Sequence, residues 1–153
     1  MMEFSVRSIA TVYNARADVV DDGWAAIPSE VRLNDEMPAE CFDGIEDFSH
    51  VEIVYVFHKA TGSRPVVGAG HPRENLACPK VGIYAQRKKA RPNFIGCTIA
   101  KLVRREGRSL FVERLDAIDG TPVLDIKPVM REFLPDGDVR QPRWSEELMR
   151  GYW

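Results

Sequence analysis

The sequence predicts an all-β domain, mainly strand with few short helices, closed as a barrel or stacked as a sandwich. Three observations point there. Short segments with alternating apolar residues recur along the chain, turn signals separate them, and helix signals are scarce. No strand–helix–strand alternation appears, which argues against a Rossmann sheet.

Phe4 to Tyr13 alternates and is rich in β-branched and aromatic residues. Val51 to His58 is a near-continuous apolar run of strand length and reads as a central strand. Val81 to Gln86 predicts a third strand. Ile95 to Val103 and Ser109 to Leu115 predict a fourth and fifth, joined by a loop over Arg104-Arg-Glu-Gly-Arg108 that contains one glycine. Thr121 to Lys127 predicts a sixth, opened by the Asp119-Gly120 turn and closed by Pro128. Pro38 to Phe48 predicts a short helix or turn. Ser145 to Arg150 predicts a helix with Ser145 as N-cap and Gly151 as its stop. Leu33 to Pro38 and Ala60 to Pro79 are rich in loop residues. With no repeat and no dividing linker, residues 1–153 read as one domain, its core over about 4–130, followed by a tail with the short helix 145–150.

Apolar residues make up 44% and charged residues 29%, which excludes a disordered chain. The longest apolar run, Val51 to Phe57, is interrupted by Glu52 and falls far short of the roughly 20 residues of a membrane helix. Met-Met-Glu-Phe-Ser-Val-Arg at the start has neither the basic nor the apolar region of a secretory signal. Cys41, Cys78 and Cys97 are few, odd in number and far apart, which argues for a reducing cytoplasm. Residues 1–60 carry 4 Lys/Arg against 12 Asp/Glu, whereas residues 61–153 carry 17 against 11. Arg87, Lys88, Lys89, Arg91, Lys101, Arg104, Arg105 and Arg108 face a single acid, Glu106, in the same stretch. Such a cluster is either a solvated basic face or a site for phosphate and nucleic acid.

The chain contains no phosphate-binding P-loop, no GxSxG and no HExxH, and Gly68-Ala-Gly70 runs on into His71-Pro72 rather than a dinucleotide fingerprint. His50 and His58 lie about 26 Å apart along an extended strand, too far to share a metal, so no metal site is expected. The informative segment is Gly82-Ile-Tyr-Ala-Gln-Arg87-Lys-Lys-Ala-Arg91-Pro92-Asn93-Phe-Ile95-Gly96. Pro92 fixes its own φ and holds Arg91 extended. Asn93 offers both donor and acceptor, and Gly96 permits close approach of a ligand or another backbone.

This segment resembles the hallmark of the TsaA/YaeB-like family (the TrmO-type tRNA methyltransferases), close to G-[VI]-[FY]-A-T-R-S-P-x-R-P-N-P-I-G. Leu115-Asp116-Ala-Ile-Asp119-Gly120-Thr121-Pro122-Val-Leu-Asp125-Ile126-Lys127-Pro128 is similar to a second family block. Gly44 to His50, followed by Tyr55-Val-Phe57-His58, is similar to a third. The resemblance implies a small YaeB-like β-barrel that binds S-adenosyl-L-methionine and works as a homodimer, with the cofactor near the subunit interface. It implies N6-methylation of threonylcarbamoyladenosine beside the anticodon of tRNA. Longer bacterial members carry a C-terminal extension; here about 25 residues follow Pro128. Gln86 stands where the family has threonine, Lys88-Lys89 replaces Ser-Pro, and Phe94 replaces the second proline. These departures keep open a cofactor- or RNA-binding module without catalysis, and a methyltransferase with a non-tRNA acceptor.

The resemblance places Arg87 in the cofactor site, where a guanidinium fork suits a carboxylate. It adds Arg91 and Asn93 from the Arg-Pro-Asn turn, where Asn93 either orients a ligand or only caps the turn. His58, with Lys59 after it, ends a strand at the matching position, as a donor, a base or a structural histidine. Asp116, beside Leu115, either accepts from ribose hydroxyls or caps a strand end. His58 and Asp116 are thus the candidates for the general base. Asp22-Gly23-Trp24 matches a glycine-containing loop, with Trp24 stacking on adenine or packing on the core. Cys97 is expected as a small wall residue. Lys88, Lys89, Arg91, Arg104 and Arg105 are the expected RNA contacts. Asp125 and Lys127 share one strand face and read as a structural ion pair.

Overall fold

The computed structural model describes residues 1–153. Strands β1 (Ala10–Tyr13), β2 (Ser29–Leu33), β3 (His50–Val56), β6 (Ile95–Glu106), β7 (Ser109–Glu113) and β8 (Pro122–Pro128) close into an antiparallel barrel in the order β1-β2-β7-β6-β3-β8. Two short strands, β4 (Ala69–Gly70) and β5 (Val81–Gly82), pair with each other outside it. The helix α1 spans Arg143–Leu148.

Alternation fills the barrel. Val51, Ile53 and Tyr55 of β3 point inward and are at most 1% exposed. Opposite them β6 offers small inward residues, Gly96, Thr98 and Ala100, in register Tyr55↔Gly96, Ile53↔Thr98 and Val51↔Ala100. Large and small side chains thus face each other across one pair, as a narrow barrel requires. Val12, Val31, Leu110, Val112 and Val123 complete the interior. Between β3 and β8 the register slips after Val54, so that Tyr55 pairs with Val123 and Leu124 has no partner. A bulge of this kind re-aims its neighbours, and it sits beside Tyr55.

Several sequence expectations are corrected. Only Ala10–Tyr13 of the first predicted strand joins the barrel; Phe4 and Val6 are exposed. Strand β2 was not foreseen, because Ser-Glu-Val-Arg-Leu offers only two apolar residues and buries Ser29 on the inner face. Val81–Gln86 is not a barrel strand: after Gly82 it tightens into a 3₁₀ turn over Ile83–Ala85. Strand β6 continues through Arg104, Arg105 and Glu106, which leaves a two-residue hairpin turn, Gly107-Arg108, with Gly107 at φ 56°. Pro38–Phe48 forms two 3₁₀ turns. The last helix begins at Arg143 behind Pro142, and Ser145 Oγ donates to the Pro142 carbonyl instead of capping from outside. Asp125 and Lys127 form the expected ion pair.

Candidate functional site

The barrel has two ends. At one lie the end of β3, the start of β6 and the start of β8; at the other lies the β6–β7 hairpin. A cavity opens at the first end. Its apolar wall includes Val19, Val20, Trp24 and Phe57, and its polar groups include His58, Lys59, Lys89 and Asp116.

Asp116 is the organising group. Its Oδ1 accepts the Tyr55 hydroxyl at 2.9 Å and the Thr98 hydroxyl, and its Oδ2 accepts the Tyr152 hydroxyl. A carboxylate offers about four acceptor positions, and these bonds fill three. Burial, then the negative charge of Asp116, pushes the Tyr55 hydroxyl well above its ordinary pKa, and Tyr152 is raised for the same two reasons. Both phenols therefore stay protonated donors. Tyr152 is brought in by the chain's last residues: Gly23 N–H donates to Gly151 O at 3.0 Å and Trp24 N–H to Tyr152 O at 2.9 Å.

His58 follows β3 in a 3₁₀ turn and lines the cavity. Its Nδ1 is buried without a hydrogen-bond partner. A Cβ built at Gly120 would lie 4.0 Å from its Nε2. Burial first, then the neighbouring Lys59 charge, lowers the pKa of the ring. Lys59 Nζ donates to the Ala17 carbonyl. Trp24 is buried, donates from Nε1 to Asp21 O at 3.1 Å, and has one face covered by Arg16 at 4.4 Å. Arg16 also donates to the carbonyls of Asp22 and Gly23. Asp22 itself is held by the Arg73 fork at 2.8 and 3.2 Å.

The basic loop lies beside this cavity. Arg87 is exposed and donates to Cys97 O at 2.6 Å; it lies near enough to Tyr152 to oppose that phenol's raised pKa. Arg91 donates to Gln86 O at 3.1 Å. Lys89 pairs with Asp21 at 2.8 Å, and that bond is the main cause holding the Asp21 carboxyl below its usual range. Lys88 stands 3.6 Å from Glu74. Asn93 is exposed within the turn that Phe94 N–H closes onto Arg91 O at 3.1 Å. Phe94 adopts φ 53°, which a proline ring does not allow, so this turn differs from the family's proline pattern.

Four expectations change. The basic cluster is split, since Arg104, Arg105 and Arg108 stand at the far end of the barrel; Cys97 to Arg104 alone spans about 23 Å of strand. There Arg105 is a clasp: it donates to Asp43 at 2.9 Å and to Ala39 O at 3.0 Å, and its side chain is 16% exposed. Arg104 pairs with Glu106 at 2.6 Å and covers Phe111. The side chain of Leu115 is fully buried in the core, not on the cavity wall. Gly96 admits neither ligand nor backbone; its missing side chain makes room for the rings of Tyr55 and Phe57. Cys97 faces away from the barrel interior and meets Arg87 through its carbonyl.

Tyr55, Thr98, Tyr152, Val19 and Val20 belong to the site and were missed. Inward alternation on β3 is a signal for Tyr55, but no periodicity links Tyr152 to Asp116.

Comparison with known proteins gives the geometry its context. Residues 8–134 match the family model described as "tRNA-methyltransferase O N-terminal domain". A human protein named tRNA (adenine(37)-N6)-methyltransferase is 42% identical over 105 residues, covering 69% of this chain and 23% of that protein. A probable S-adenosyl-L-methionine-binding protein of Methanothermobacter thermautotrophicus is 34% identical over 137 residues, covering 86% of this chain and 94% of that protein. A crystal structure of TrmO from Pseudomonas aeruginosa superposes with a TM-score of 0.75 at 26% identity, over 94% of this chain and 62% of that one. The chain thus spans about a quarter of the human relative's length and under two thirds of the bacterial structure's. The barrel, its strand pattern and the sequence matches agree: the chain belongs to the tRNA-methyltransferase O N-terminal domain family.

Proposed function

We propose that this chain is an S-adenosylmethionine-dependent methyltransferase acting on tRNA, adding a methyl group to N6 of threonylcarbamoyladenosine beside the anticodon, and working as a cytoplasmic homodimer. The observation that carries the reading is the cavity in which Asp116, His58 and Lys59 meet an apolar wall, in a chain of this family. The residues fit the cofactor's chemistry. Asp116 has one acceptor position left for a hydroxyl or amino group, and Arg87 offers a fork to a carboxylate nearby.

When bound, the cofactor supplies a methyl group already activated by its sulfonium. The chain's task is alignment and removal of one proton. Asp116, held by its three hydroxyl donors, orients. His58, kept neutral by burial, takes the proton at Nε2. A ring pKa below the ordinary 6.5 makes the base form dominant at neutral pH, so kcat/KM is expected to rise with pH to a plateau with its midpoint below 6.5. A profile of methyl transfer against pH checks this. His58→Gln removes that limb, and a wild-type midpoint above 7 excludes His58.

Calorimetry with S-adenosylmethionine, followed by methyl transfer to tRNA carrying threonylcarbamoyladenosine, tests the whole reading. Arg87→Ala is expected to weaken cofactor binding by about 1–3 kcal/mol. An unchanged dissociation constant removes Arg87 from the site. The second reading is a binding module without catalysis, favoured by the changes at Gln86, Lys88 and Phe94 and by relatives named only as cofactor-binding proteins. Cofactor binding without transfer to any RNA selects it, unless a non-RNA acceptor is then found.

A further inference from the structure

The segment after α1 lies beyond residues 8–134, the stretch that matches the family model, yet it is bonded to the cavity's walls. Tyr152 N–H donates to the Met149 carbonyl at 3.1 Å, which turns the chain after its helix. Two backbone bonds then fasten it to the loop before β2: Gly23 N–H donates to Gly151 O at 3.0 Å, and Trp24 N–H to Tyr152 O at 2.9 Å. Trp153 packs edge-on against Tyr152, with ring centroids 5.1 Å apart, and the Arg114 guanidinium stands 4.5 Å from the centroid of the Trp153 ring. Two residues after Arg114, Asp116 accepts the Tyr152 hydroxyl. Residues 151–153 thus hold two lining residues of the cavity, Trp24 and Asp116, by separate bonds.

The two oxygens of Asp116 are held differently. Tyr55 of β3 and Thr98 of β6 donate to Oδ1 and fill its two acceptor positions. Tyr152 alone donates to Oδ2. The acceptor position still open on this carboxylate therefore belongs to Oδ2, beside the one that Tyr152 fills. Burial, then the charge of Asp116, keeps the Tyr152 phenol protonated and so a donor. Arg87 is tied to the same corner through β6: it donates to Cys97 O at 2.6 Å, and the next residue, Thr98, donates to Asp116. Tyr152 thus touches one of the two groups assigned above to the cofactor and feels the charge of the other.

We propose that Tyr152 is a positioning residue for the cofactor: its hydroxyl sets the Asp116 carboxylate so that the open position of Oδ2 meets the cofactor's hydroxyl or amino group. The inference rests on the cofactor-binding reading above and adds a residue that acts on the cofactor through Asp116. Tyr55 and Thr98 anchor the carboxylate to the barrel, and Tyr152 fixes its rotation about that anchor. The backbone bonds to Gly23 and Trp24 and the Arg114–Trp153 contact hold the phenol in place for this task.

The test separates the hydroxyl from the packing of the segment. Tyr152→Phe removes the hydroxyl and keeps the ring, its contact with Trp153 and both backbone bonds; Tyr152→Ala removes the ring as well. Binding of S-adenosylmethionine is measured by calorimetry for each, in the wild-type chain and in Asp116→Ala. Tyr152→Phe is expected to weaken binding about tenfold, the scale of one hydrogen bond to a charged group. Tyr152→Ala is expected to lose no more than about threefold beyond that. In Asp116→Ala the change to Phe is expected to matter by less than about twofold, because the hydroxyl's partner is gone. A Tyr152→Phe chain that binds like the wild type while Tyr152→Ala fails shows that the segment only packs, and overturns the role. Equal losses in both backgrounds overturn it too, since Asp116 would not be the route. Should Asp116→Ala fail to fold, the comparison of Phe with Ala decides alone. A wild type with no affinity for S-adenosylmethionine overturns the cofactor reading and this role with it; a wild type that binds no better than Tyr152→Phe overturns this role alone.

Discussion

Gly96→Ala is expected to destabilise the protein by about 2–3 kcal/mol, lowering the thermal midpoint by roughly 5–10 °C, and to impair cofactor binding with it. A Cβ at this position would stand 2.7 Å from Cε2 and Cζ of Tyr55 and 2.8 Å from Cζ of Phe57. Neither ring yields easily. Tyr55 is 1% exposed and is tied through its hydroxyl to Asp116 at 2.9 Å, so swinging the ring breaks that bond. Phe57 packs edge-on against Tyr55 with centroids 5.4 Å apart, so the two must move together. Both rings line the cavity, which converts a packing error into a binding error. Thermal unfolding and calorimetry with S-adenosylmethionine check the two effects. A variant with the wild-type midpoint would mean that the rings move aside freely, and the tight fit between β3 and β6 would be wrong.

Much of the barrel was legible because its strands obey local rules. Strand β3 carries inward residues at every second position, the β6–β7 hairpin has a glycine at its turn, and β8 is bracketed by Asp119-Gly120 and Pro128. Strand β2 was not legible, since one of its three inward residues is Ser29 and its pairing with β1 and β7 is set by tertiary contact. Val81–Gln86 misled because an apolar run of strand length also suits a turn buried through Ile83 alone. At the site, Asp116, His58 and Trp24 were reached through motif resemblance, and the fold brings all three to one cavity. Tyr152 was not reachable by any such route. Its partner lies 36 residues earlier and its only link is a hydroxyl aimed at a carboxylate. Composition treated the arginines and lysines of 87–108 as one patch, yet β6 carries them to opposite ends of the barrel, where Arg105 meets acids of the first half of the chain.

Asp116→Ala is expected to cost about 2–3 kcal/mol of stability and to weaken cofactor binding at least tenfold, because it strips the common acceptor from several hydroxyls at once. Tyr55 and Thr98 are both buried donors to Oδ1, and Tyr152 donates to Oδ2. Tyr55 keeps a partial substitute in the Asp116 backbone carbonyl at 3.2 Å, which keeps the loss below the sum of three separate penalties. Asp116→Asn should cost less, since the Tyr152 hydroxyl can turn to accept from the new amide. Urea unfolding ranks the two variants, and equal midpoints would deny Asp116 this role. An alkaline limb separates charge from burial. In the folded chain both phenols hold their protons above the ordinary tyrosine pKa of 10, and burial is the first cause for each. Above that pH the unfolded chain is ionised while the folded chain is not, so stability present at neutral pH falls as pH rises through the higher folded values. Removing Asp116 deletes its charge and its hydrogen bond to each phenol but leaves burial, the first cause, in place. The alkaline loss of stability in Asp116→Ala should therefore persist but be shallower than in the wild type, as followed by tyrosinate absorbance beside unfolding curves. Complete disappearance of that limb would mean that the carboxylate, and not burial, holds the phenols neutral.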